Sequence, residues 1–528
     1  MSRYDAIVIG AGAGGGIVAY TLAEAGARVL LLERGRHQNF ETTGRDHLRN
    51  HRLAQYGHNT GPDLVGNPRV FVGLDGIPEI VPPHHHAYSN NAMVEGGGTL
   101  VYGGQAWRFP PRDFKMASTY GVPEGSSLAD WPISYEDLEP FYEWAEHAIG
   151  VSGSDPAPEM PDRSAYPMPA LPQTPKGQIL EEAAKRLGWG TQRVPLLINS
   201  VPRDDRAGCI HCQHCVGFAC PVDAKNGTQN TVIPKAVATG RCEVTTEAMV
   251  LRVEHFRHRA TGVVYSHGDE VHVADADKVY VCGGAVETAR LLLNSGIGNG
   301  QVGRNLQAHY YSSTMAIMPE PVWNGVGPGA SIATLKFTHG NEGLVGGGML
   351  ADDFIVLPIV FAKWHRPPDV PTWGIEHKNW MRYAYPRFVS VMGPIQDIPN
   401  AEARVTVDPY VKDHLGVPVA RLSGTTHPET VRVTDFMNQK GREWLEAAGA
   451  ERIWNSAPSL RLSSGQHQAG TCRMGDDPES SVVDATGKVH GFENIYVGDA
   501  SVHVTNGCLN PVLTVMATAR RMALLSLT

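Results

Sequence analysis

The apolar positions of this chain fall into two textures. An unbroken apolar run at residues 6–9 and the stretch 28–32, apolar after Arg28, read as buried strands, and residues 17–25 between them read as a helix. Strand patterning returns at residues 232–236 and 242–254, and the run at 278–285 ends another buried strand on glycines. An amphipathic helix over residues 287–295 follows, closed by Gly296 just past its end. Strand, helix and strand in this order predict a doubly wound nucleotide-binding layer.

From residue 312 to 424 the pattern changes to short runs at 315–318, 346–350, 354–362, 387–392, 403–407 and 417–422, separated by Gly, Pro and Asp. Such spacing predicts an antiparallel sheet covering a pocket. A long helix over residues 428–448, a strand at 495–497 and a helix over 511–525 complete the chain. Residues 36–83 show no periodicity and predict a long lid or insertion. The three histidines at its end, His84, His85 and His86, would alternate faces on an extended segment, which predicts a solvated loop rather than a metal site.

Between the first strand and helix, Gly10, Gly12 and Gly15 satisfy GxGxxG. One glycine makes the tight turn, one lets the backbone approach a pyrophosphate, and one allows close packing of helix on strand. Glu33 ends the second strand about twenty residues on, where a carboxylate can accept ribose hydroxyls. The motif does not by itself separate FAD from NAD. A second glycine cluster, with Gly97, Gly98, Gly103 and Gly104, lets backbone lie against a flat or anionic ligand and is placed over the cofactor. Ser134 with Asp137 three residues later predicts a capped helix.

Composition narrows the class. At 528 residues the chain is long enough for two or more domains. A net charge of −9 with 19% charged residues argues against a nucleic-acid or acidic-membrane surface. Apolar runs are too short to span a bilayer, and the start directly on a strand, without a leader pattern, predicts a cytoplasmic protein.

Four of the eight cysteines, Cys209, Cys212, Cys215 and Cys220, fall within twelve residues. Their spacing departs by one residue from the ferredoxin run CxxCxxCxxxCP, which points to an iron-sulfur cluster, with zinc or free buried thiols as the alternatives. A cluster would carry electrons between a redox cofactor and an acceptor.

Taken together, the first glycines with Glu33, the second glycine cluster, Gly283-Gly-Ala-Val-Glu-Thr-Ala-Arg, Val302-Gly-Arg-Asn-Leu, His467-Gln-Ala-Gly-Thr-Cys-Arg-Met and Asn510-Pro-Val-Leu-Thr resemble the glucose-methanol-choline (GMC) oxidoreductases. This FAD-dependent family includes sugar, choline and cholesterol oxidases. The resemblance implies an FAD-binding domain from residues 1–40, 84–110, 200–311 and 455–528, and a discontinuous α+β substrate domain from 41–83, 111–199 and 312–454.

It further implies that His467 and Asn510 form the catalytic pair, and that Val250, Asp499, Ser501 and Pro511 contact FAD. Members that tether FAD covalently often use a histidine near the positions of Val101 and Tyr102, which implies non-covalent FAD here. The implied reaction is oxidation of a sugar, glycoside or polyol hydroxyl, with His467 taking the proton as hydride passes to flavin N5. Oxygen or another acceptor would reoxidise the flavin, and the oligomeric state is open. A histidine near neutrality suits that proton transfer, and an asparagine can donate to the alkoxide. Asn510 before Pro511 also reads as ordinary helix capping. A hydroxynitrile lyase of the same fold is the alternative reading.

Overall fold

The computed structural model describes residues 3–49, 58–85, 92–323, 325–463 and 465–528. Tyr4–Ile9 and Val29–Leu32 pair in parallel, Val8 beside Leu31, and residues 6–9 and 29–32 are buried throughout, as a strand covered on both faces must be. The Ala13–Glu24 helix between them starts four residues earlier than its apolar pattern suggests, because the glycines themselves supply its first turn. Cys242–Thr245 adds to one side. On the other, Glu270–Val281 pairs in parallel with Tyr4–Ile9 and then with Ile495–Val497.

The same long strand extends beyond that layer and pairs antiparallel with Arg259–His267, which pairs with Ala248–Phe256, completing a seven-stranded sheet. A six-stranded sheet, antiparallel at every pairing, holds Tyr311–Ile317 and Phe388–Pro394 at its centre, with the Pro428–Ala447 helix packed on it. The architecture is therefore α/β, a Rossmann-like layer beside an antiparallel sheet.

Several local expectations are corrected. Residues 232–236 form the Val232–Ala238 helix, whose buried Val232, Ile233 and Ala236 follow helical spacing against the Ala13–Glu24 helix. Residues 358–362 are likewise helical, within Pro358–Trp364, where Pro358 opens the first turn. Short apolar runs do not distinguish strand from buried helix; the packing partner does. At residues 346–350 only the last residue is in a strand, Leu350–Asp352.

The stretch expected as a long loop contributes Arg69–Val72 and Pro78–Val81 to a four-stranded sheet with Arg404–Lys412 and Pro418–Ser423. His84 and His85 are half-buried, the His84 ring 6.2 Å from that of His58, so these two side chains are less solvated than expected; His86 lies outside the described residues. The Ser134 capping box on Tyr135–Ala145 is present. Among the described residues no helix is long and apolar enough to cross a membrane.

Candidate active site

A cavity of about 690 Å³ opens between the two large sheets, with Gly10 and Glu33 on its walls at one end and His309 and His467 at the other. The glycines divide by job. Gly10 has φ +96, and a Cβ there would sit 2.5 Å from the Cys282 carbonyl oxygen. Gly15 does not line the cavity; its Cβ would fall 1.8 Å from the Gly10 carbonyl oxygen, so it sets the close contact of helix on strand. Gly12, Gly98 and Gly284 are lining residues with open space where a Cβ would stand. The helix that starts after Gly12 has no side-chain cap, leaving its first N–H groups for an anion. This backbone cradle fits the pyrophosphate of FAD.

Gly97, Gly103, Gly104, Val250, Asp499 and Pro511 also line the cavity. Glu33 is buried there, and burial raises its pKa. Its oxygens accept from Ala11 N and Gly35 N, both at 2.8 Å, so it also braces the turn it was expected to serve only through the ribose. Ser501 lies behind the wall, donating its N–H and Oγ to Asp499 Oδ1 at 2.8 and 2.6 Å. Asp499 Oδ2 in turn accepts from Gly284 N and Thr288 Oγ1, fixing the start of the Ala285–Asn294 helix.

At the far end Gln307 joins three segments. Its backbone pairs with Ala469 in both directions, its Nε2 donates to Val504 O, and its Oε1 accepts from Asn506 N. These ties bring His309 against His467. His467 has φ +64, a left-handed backbone that a non-glycine residue holds only when its surroundings impose it, and Asn506 Nδ2 donates to its carbonyl at 2.7 Å.

The two imidazoles meet at Nδ1, 2.8 Å apart, and His309 Nε2 lies 2.9 and 3.1 Å from the carbonyl oxygens of Asn506 and Gly507. Carbonyls only accept, so the His309 proton is on Nε2 and its Nδ1 is an acceptor. His467 Nδ1 must then donate, and its Nε2 is left with a lone pair. Tyr311 Oη sits 3.2 Å from the same His467 Nδ1. Asn510 lines the cavity too, and its Oδ1 is buried without a partner. It is not the expected helix cap: Pro511 occupies that position ahead of Val512–Leu525, which leaves the amide uncommitted.

His309, Tyr311 and Asn506 had no sequence signal of their own. The Val302-Gly-Arg-Asn-Leu motif stopped three residues short of His309 and was the available clue.

Burial and the neighbouring His309 hold His467 well below its ordinary pKa, while burial pushes His309 and His503 down to about 4. All three imidazoles are thus neutral at neutral pH. Because the unfolded chain binds protons on His309 and His503 near pH 6.5 and the folded chain only near 4, protons favour unfolding across that window. Thermal melts between pH 7 and 4 are expected to show stability falling as pH drops through it, and substituting His309 with glutamine should flatten the slope.

Of the three readings of the cysteine run, the arrangement matches free, partly buried thiols. The four thiols are free and half-buried, and no three lie within 4.8 Å of one another, so the arrangement lends no support to a cluster. Lys225 gathers this loop instead: its Nζ donates to the carbonyls of Tyr102, Cys215 and Phe218 at 2.9, 2.6 and 2.8 Å, and burial pushes its pKa down to about 8. The carbonyls turn inward onto this cation.

Fold and cleft together define a dinucleotide-dependent oxidoreductase. Residues 90–311 and 399–519 match the N- and C-terminal models described as GMC oxidoreductase, and residues 8–68 match an NAD(P)-binding Rossmann-like domain. The chain belongs to the GMC oxidoreductase family.

It is 30% identical to paromamine 6'-oxidase of Streptomyces fradiae, over 98% of this chain and 90% of the relative. It is 29% identical to 2-methyl-1,2-propanediol dehydrogenase of Mycolicibacterium austroafricanum, over 98% and 94%. The crystal structure of pyridoxine 4-oxidase from Mesorbium loti shares the fold, with a TM-score of 0.65 at 19% identity over 99% of both chains. The protein is an FAD-dependent enzyme that oxidises alcohol groups, and the lyase reading finds no support in these relatives.

Proposed function

We propose that this enzyme oxidises a CH–OH group of a sugar, glycoside or polyol to a ketone or aldehyde, with His467 as the base and Asn510 as the donor to the developing alkoxide. The observation that carries the reading is the Nδ1 to Nδ1 contact of His309 and His467. It leaves His467 Nε2 unprotonated beside the cavity, ready to take a hydroxyl proton. FAD held by the glycine turn supplies the acceptor for the hydride that leaves the carbinol carbon.

Each neighbour has a part in that proton transfer. His309 is a positioning residue, keeping the His467 proton on Nδ1. Tyr311 and the Asn506 amide hold the imidazole and its backbone in place. Asn510, free of capping duty, can donate to the alkoxide oxygen, which stabilises charge where it develops. The Val512–Leu525 helix starts two residues on and directs its positive end to the same region. No histidine stands at Val101 or Tyr102, which favours non-covalent binding of FAD.

A polyhydroxylated substrate is favoured by polar lining residues near the histidines, Tyr311, Arg461 and Gln466, and by relatives named for paromamine and a propanediol. Anaerobic mixing with a panel of sugars, glycosides and polyols is expected to bleach the flavin with at least one of them. A flavin that no alcohol of the panel reduces would remove this reading.

A further inference from the structure

Outside the cavity, one group of three metal-ligand side chains converges among the described residues: Asp113, His339 and Cys508, whose ligand atoms all lie within 4.8 Å of one another. They come from three separate stretches of chain. Asp113 and Cys508 are fully buried, and the His339 side chain is 6% exposed. His339 Nε2 is 3.1 Å from Asp113 Oδ1, while Asp113 Oδ2 is buried with no hydrogen-bond partner.

That orphaned oxygen calls for a positive partner. A buried carboxylate oxygen left unpaired is costly, and a cation seated between the three side chains would satisfy it. The other ring nitrogen of His339 is also accounted for: Tyr120 Oη lies 3.0 Å from Nδ1, and the two rings stack at 6.0 Å. A ligating imidazole needs such an outer partner to aim its free nitrogen at the metal.

We propose that Asp113, His339 and Cys508 form a zinc site that clasps the loop carrying the catalytic amide. One oxygen, one imidazole nitrogen and one thiolate suit zinc, whereas calcium and magnesium take oxygen ligands. Binding releases the Cys508 thiol proton to solvent as the Zn–S bond forms. The Thr338 carbonyl, 4.0 Å from Cys508 Sγ, or a water can complete a tetrahedron.

The position gives the site a purpose. Cys508 directly follows Asn506 and Gly507, whose carbonyls hold the His309 proton, and lies two residues before Asn510. Thr505 Oγ1 already donates to the Asp113 carbonyl, so zinc would fasten the same loop at a second point.

The test uses the FAD-loaded enzyme expressed in zinc-supplemented medium, desalted, and assayed for metal by mass spectrometry and zinc-edge X-ray absorption. The expected result is one zinc per chain with a single sulfur neighbour at about 2.3 Å. Both should disappear in Cys508→Ser. Should that variant not fold, Asp113→Asn should lower zinc retention at least tenfold. A zinc-free wild type, zinc with no sulfur neighbour, or zinc unchanged in the variants overturns the proposal and leaves an ordinary Asp–His pair beside a thiol. The readout is metal content, so it stands apart from any failure to find an alcohol substrate.

Discussion

Replacing His467 with alanine is expected to leave a folded enzyme that retains FAD yet is reduced by alcohol about 10²- to 10⁴-fold more slowly in anaerobic stopped flow. The loss would follow from removing the proposed base, His467, a residue lining the cavity whose Nδ1 is engaged by His309, while the glycine turn proposed to hold the cofactor is untouched. His309→Ala should cost less, because the base survives and only its tautomer is released. Its signature is a changed pH profile of flavin reduction with FAD content unchanged, an effect that general loosening of the fold would not produce. An undiminished reduction rate in the His467 variant would take the base away from this residue.

Two glycine substitutions should fail in opposite ways. At Gly12 an added Cβ meets no protein atom within 4 Å and the backbone, at φ −72, accepts an L side chain. Gly12→Val is therefore expected to fold with a melting temperature near wild type but to emerge colourless, because its side chain fills the space over the helix start where the pyrophosphate fits. At Gly15 even alanine puts a Cβ 1.8 Å from the Gly10 carbonyl oxygen, a backbone atom that cannot swing aside. Gly15→Ala should lose about 3 kcal/mol or more of stability and with it soluble yield. The measurements are the ratio of flavin to protein absorbance and the thermal melt; a yellow Gly12→Val protein would contradict the placement of the cofactor.

Much of the nucleotide half was legible because its signals are local. Residues 6–9 and 29–32 are buried throughout, which fits the short apolar runs read there as covered strands, and GxGxxG between them lies within one turn of chain and marks the strand-to-helix turn. The helices at 287–295 and 428–448 were read to within two residues, since both are long and periodic. Residues 232–236 misled because five apolar-rich positions suit a strand as well as a helix, and only packing on the first helix decides between them. Asn510 carried two readings, catalytic donor and helix cap; Pro511 takes the cap, and the Asn510 Oδ1 is left buried without a partner.

The amino-acid sequence alone determined the Rossmann-like layer, the family resemblance, and the candidacy of His467 and Asn510, because each rests on residues close together in the chain. The tertiary structure decided what those residues can do. Which nitrogen of His467 is free depends on His309, Asn506 and Gly507, and whether Cys508 stands alone or beside Asp113 and His339 depends on three distant segments. The reason is physical: a proton's place on an imidazole, and a ligand's place around an ion, are set by atoms that touch it in space, and sequence spacing carries no record of those contacts.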